Sequence, residues 1–213
     1  EDGLFGVLTR SARRTRVSRN DIVGKDLEIP RRGDGIRLQD AKGSVVEDNR
    51  INRTRDLAVW ESDDCVVRRN HISGARYGLH YMYCDDNLFE DNVFAGNQTG
   101  GAVMYSRRLT LRRNRFSGSR GPSAYGLLLK TADDLLVEDN TFTDNTCGVF
   151  FDSTPSSRNS FATIRGNVIA GNDVGMTLEV VEAASRANEA QQSYVSERAV
   201  EMLGGDVKGK VVA

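Results

Sequence analysis

The chain has 213 residues, with 29 Lys and Arg against 30 Asp and Glu, for a formal net charge of −1 at pH 7. That length suits one domain or a short solenoid, and the even charge balance gives no basic surplus of the kind nucleic-acid binding requires. No apolar run is long enough to span a membrane, and Cys65, Cys84 and Cys147 are odd in number and lack a CxxC spacing, which excludes a zinc or disulfide framework read from cysteine pattern.

From the amino terminus, Glu1–Arg10 reads as opening within a repeat unit, with no signal peptide at Glu1, so a mature or truncated chain is expected. The unit itself is marked by Asn20, Asn49, Asn70, Asn92, Asn114, Asn140 and Asn167, each followed two residues later by Ile or Phe. Fourteen residues before the first six stand Gly6, Gly35, Asp56, Gly78, Gly100 and Gly126. The basic unit is therefore 22 residues, with loop-like insertions around Lys25–Asp34, Ser119–Ala124 and Thr154–Ser160.

Within each unit apolar residues alternate with period two, as in Leu79/Tyr81 and Leu127/Leu129, so the elements are strands. Three short strands per unit, with no room for a crossover helix, predict an all-β right-handed parallel β-helix of about seven 22-residue coils. Each coil buries its inward side chains only against its neighbours, so single units are not expected to fold alone. The asparagines are expected to stack as an amide ladder at a corner. The pairs before them alternate in sign, from Glu47-Asp48 and Arg68-Arg69 through Glu90-Asp91 and Arg112-Arg113 to Glu138-Asp139 and Arg165-Gly166. In-register stacking would set each pair against opposite charge, and a slip by one coil would stack like charges.

The repeat covers residues 1–178. After Leu178 it is lost, and Glu179–Leu203 is rich in Ala, Glu and Arg, which predicts a helical cap or divergent tail over 179–213.

The outward positions are the second and fourth after each glycine. A solvated face should be polar, but Trp60, His80, Met82, Met104, Leu128 and Phe150 make a patch that Tyr83 and Tyr105 extend. Exposed apolar surface of this kind marks a partner-binding face. A second reading concerns metal: His80, Met82 and Cys84 alternate along one strand, Met104 stands beside Met82, and thioether, imidazole and thiolate together suit Cu(I). His71 reads as a solvated turn residue and Cys65 as core. The alternative of a carbohydrate-binding or polysaccharide-cleaving β-helix would place its catalysis on Lys130, Asp152 and Glu179. Asp63-Asp64, Asp85-Asp86 and Asp133-Asp134 read as turn formers, since Arg107-Arg108 interrupts their column.

The strings Tyr77–Asn92 (YGLHYMYCDDNLFEDN), Gly101–Asn114 (GAVMYSRRLTLRRN) and Ala124–Lys130 (AYGLLLK) resemble the NosD family of nitrous oxide reductase maturation proteins. The resemblance covers roughly Gly35–Leu178. It implies a β-helix of the carbohydrate-binding-and-sugar-hydrolase repeat type, in a periplasmic, copper-linked, non-enzymatic accessory protein. It further implies work alongside an ABC transporter's ATPase and membrane subunits, and with a copper chaperone, in assembling the copper–sulfur centre of the reductase. A removed signal peptide and missing early coils are implied as well, and the further coils expected of the family are absent after Leu178.

Overall fold

The computed structural model describes residues 4–179. Over these residues the chain is an all-β parallel solenoid of about five turns with almost no helix. The helical element among the described residues is the 3-10 turn Ile29–Arg31, inside the first insertion. One sheet carries 13 strands and the other seven.

The smaller sheet stacks the apolar residue that follows each ladder asparagine. Ile22, Ile51, Ile72, Phe94, Phe116, Phe142 and Ile169 lie in register, one above the next. The middle five are buried, while Ile22 and Ile169 at the two ends are only partly so. The sealed core therefore spans about five turns where the periodicity predicts seven equal coils. Phe94, Phe116 and Phe142 form a continuous stack with centroid spacings of 4.8 and 5.1 Å. Phe89, Leu79 and Tyr81 pack beside them as the inward residues of their strands.

The amide ladder forms as the spacing predicts. Each Oδ1 from Asn49 to Asn167 accepts from the backbone N–H and from Nδ2 of the asparagine one turn earlier, at 2.8–3.1 Å. The left-handed corner residue is not the asparagine but the one before it: Arg19, Asp48, Arg69, Asp91, Arg113 and Asp139 have φ between 52° and 58°. A shorter second ladder joins Asn145 to Asn172 at another corner, with Asn97 accepting from the N–H of Ala75.

The alternating charges also meet in register. Arg68 and Arg69 reach back onto Glu47 and Asp48, Arg112 and Arg113 onto Glu90 and Asp91, and Arg165 onto Glu138. Each such surface pair contributes only about 0.2–1 kcal/mol, so their main effect is to disfavour shifted stacking. The last described strand, Val174–Glu179, pairs with Cys147–Asp152. The helix expected over 179–213 lies, beyond Glu179, outside the described residues.

Candidate functional site

Parallel stacking turns the outward positions into rows. One row runs Ala58, His80, Ala102, Leu128, Phe150. Beside it run Gln39, Trp60, Met82, Met104, Lys130 and Asp152. The sequence places these residues correctly, but the face is less open than its composition suggests. Trp60, Met82, Met104, Leu128 and Phe150 are half-buried. The Arg37 guanidinium lies 4.3 Å over the Trp60 ring, and Tyr125 packs 4.9 Å from Phe150. The aromatic surface that stands free is the pair Tyr83 and Tyr105, stacked at 5.3 Å on successive left-handed corners. Between Gln39, Trp60, Glu61, Met82 and Tyr83 lies a shallow cavity of about 190 Å³.

His80 differs most from expectation. It points outward from its strand, Tyr77–Met82, yet is only 8 % exposed. Its ring is held edge-on by Trp60 at 5.1 Å and by Tyr77 at 5.0 Å. Nδ1 lies 2.9 Å from Oδ2 of Asp56, and Nε2 lies 3.1 Å from Sδ of Met82. Asp56 is 1 % exposed and also accepts from the Arg76 guanidinium and from the N–H of Tyr77. Burial pushes the Asp56 carboxyl up, but the hydrogen bonds from His80 and Arg76 outweigh it and hold the group below its usual range. It is therefore an ionised carboxylate. Sequence reasoning did not pair Asp56 with His80, although one signal was present: Asp56 occupies the column that other turns fill with glycine.

Cys84 does not join His80 and Met82. The strand ends at Met82, and Tyr83 turns the chain through a left-handed corner, φ 55°. Alternation stops there, and Cys84 drops into the core at 1 % exposure. Its Sγ accepts from the N–H of Ser62 at 3.1 Å, while its own N–H donates to Oγ of Ser106 one turn on. It is one rung of a corner column shared with serines, and burial pushes its thiol up to about 12. Cys84 therefore leaves the candidate Cu(I) donors, and His80, Met82 and Met104 remain as the candidates. Cys65 is core, as expected.

Among the described residues, no group of three or more His, Cys, Asp or Glu side chains is placed to hold a metal ion. A metal on this face would depend on one imidazole and two thioethers, Met82 and Met104 being in-register neighbours. That set fits soft Cu(I) and fits poorly with the hard cations that demand oxygen. Of the residues read for sugar chemistry, Lys130 and Asp152 are engaged with one another, and the turn-forming carboxylates are engaged as well. Lys130 pairs with Asp152 and holds its carboxyl below the usual range. Asp85 and Asp86 bind Arg107 and Arg108, and Asp133 ties down Ser156 and Ser157.

Among solved structures, the A-module of the Azotobacter vinelandii mannuronan C-5 epimerase AlgE4 is similar at 14% identity and a TM-score of 0.42, over 82% of this chain and 57% of that one. No curated protein sequence matches. A family model described as "Periplasmic copper-binding protein (NosD)" matches residues 13–189. With that match spanning most of the length, this chain belongs to the NosD family.

Proposed function

We propose that this chain is a non-enzymatic periplasmic accessory protein that handles Cu(I) as cargo during assembly of the copper–sulfur centre of nitrous oxide reductase. It works beside an ABC transporter, its ATPase and membrane subunits, receives the ion from a copper chaperone, and docks the reductase through the face from Trp60 to Phe150. The observation that carries this reading is the meeting of His80 Nε2 with Met82 Sδ at 3.1 Å, with Met104 in the next turn of the same row. A soft nitrogen–sulfur set on a half-buried apolar face suits an ion held without water and released to a partner. The family's description as periplasmic and copper-binding supports the same placement. No helix among the described residues is long and apolar enough to cross a membrane.

Docking is tested by capture of the purified reductase on immobilised wild-type chain and on a Trp60→Ala/Phe150→Ala variant. Central aromatic anchors in interfaces cost about 2 kcal/mol or more when truncated. The expected result is at least a tenfold loss of affinity with an unchanged fold by circular dichroism. Undiminished capture rejects this face as the docking surface.

A further inference from the structure

In this solenoid the glycine column is a steric requirement. A Cβ on Gly78 would stand 2.5 Å from the carbonyl oxygen of Gly100, and one on Gly100 would stand 2.4 Å from that of Gly126. One on Gly126 would stand 2.5 Å from that of Gly148. Real Cβ atoms do not approach oxygen so closely, and a side chain in this column forces the next turn to shift. Asp56 is the exception. Where its turn meets the next, the register is irregular between Tyr77 and His80, and Asp56 pairs with Tyr77 instead of Gly78. The fold thus departs from its own rule at one turn, and the side chain admitted there is a buried carboxylate whose Oδ2 lies 2.9 Å from His80 Nδ1.

We infer that Asp56 is a positioning residue for copper, resting on the assignment of His80, Met82 and Met104 as the Cu(I) donors. The Asp56 carboxyl already accepts from the Arg76 guanidinium and the Tyr77 N–H, so in its contact with His80 the proton sits on Nδ1, which donates to Oδ2. In the neutral ring the lone pair is thereby placed on Nε2, the nitrogen that faces Met82 Sδ. Arg76 and the N–H of Tyr77 occupy the remaining lone pairs of Asp56 and hold it in place. Edges of Trp60 and Tyr77 stop the ring from turning. A carboxylate behind a ligating imidazole fixes its tautomer and orientation and raises its basicity, and loss of such a partner costs about 10- to 100-fold in metal affinity.

The variant to make is Asp56→Gly, which restores the column's usual residue, with Asp56→Asn as a size-matched companion. Two readouts apply. The first is nitrogen NMR of the metal-free protein, which has only two histidines, His71 and His80. The wild type is expected to show His80 protonated at Nδ1, and the Asp56→Gly variant a mixture of tautomers. The second is Cu(I) affinity by competition with a chromophoric chelator, expected to fall about 10- to 100-fold in Asp56→Gly. A wild-type His80 whose neutral ring carries its proton on Nε2 overturns the inference, whatever the copper result. So does Cu(I) affinity within threefold of wild type in both variants. An Nδ1-protonated wild type that binds no Cu(I) supports the positioning by Asp56 and refutes the copper assignment instead. If the variants fail to fold, the wild-type tautomer alone decides.

Discussion

Nε2 of His80 and Sδ of Met82 stand 3.1 Å apart, nearer than two donors sit when both bind one ion at trigonal or tetrahedral angles. Metal bonds of about 2.0–2.3 Å at trigonal or tetrahedral angles separate the donors by roughly 3.5 Å or more. Copper entry at such angles would require Met82 to move, and the cavity of about 190 Å³ beside it, walled by Trp60 and Tyr83, gives it room. The expected outcome of Cu(I) titration, followed by methyl NMR of methionine, is a large shift of the Met82 and Met104 signals. The Met176 signal, from a side chain packed against the core, should stay in place. Unmoved Met82 and Met104 signals at saturation would place the ion elsewhere.

Cys84 is expected to be chemically silent. The thiolate is the reactive form and the ligand, and burial holds this thiol protonated, its pKa pushed up to about 12. A maleimide at pH 7 should leave Cys84 unmodified in the folded protein. Cys84→Ser keeps an acceptor for the Ser62 N–H and should change stability by less than about 1 kcal/mol. Cys84→Val leaves that buried donor unpaired and should cost about 1–3 kcal/mol in urea unfolding. Neither substitution should alter Cu(I) affinity by more than about twofold.

The amide ladder should be most sensitive at its centre. Asn92→Ala strips the acceptor from the buried Asn70 N–H and the donor from the Val67 carbonyl. At about 1–3 kcal/mol per unsatisfied buried group, the loss should be roughly 2–5 kcal/mol in a urea midpoint experiment. Asn20→Ala, at the partly buried end of the ladder, should cost clearly less.

Asp133 sets an acid limit on the insertion after Asp152. Burial raises its carboxyl, but the hydroxyls and N–H groups of Ser156 and Ser157 outweigh that and lower it from 3.8 to about 2. A depressed folded-state value means that the stabilisation is complete above the unfolded value and is lost as pH falls through the folded one. Asp133→Ala should therefore destabilise the protein fully at pH 7, and progressively less as pH falls from about 5 to about 1, through both values. Urea midpoints of the two proteins across that range test it, and a difference independent of pH would contradict the assignment.

Much of this architecture was legible because a solenoid repeats its physics locally. The 22-residue spacing of Asn70, Asn92 and Asn114 exposes the ladder, and period-two alternation places Leu79 and Tyr81 inside and His80 and Met82 outside. Three features were hidden for distinct reasons. Alternation cannot be carried through a left-handed corner, so Cys84 was assigned to the wrong side of Tyr83. The burial of His80 depends on Asp56 from the previous turn and on rings from two turns, contacts that no single unit displays. The second amide column hides because its equivalent positions mix Asn97, Ser119 and Asn145. Asp56 was visible as a break in the glycine column, but its meaning required knowing that the column is sterically closed.

The central claim is that His80, Met82 and Met104 hold Cu(I). Its most direct test is anaerobic Cu(I) competition titration of the wild type against a His80→Ala/Met82→Ala/Met104→Ala variant. The account predicts one tightly held ion per wild-type chain and a loss of at least 100-fold in affinity in a variant that still melts cooperatively. Equal affinity in the two proteins would contradict it, and would leave this face to docking alone.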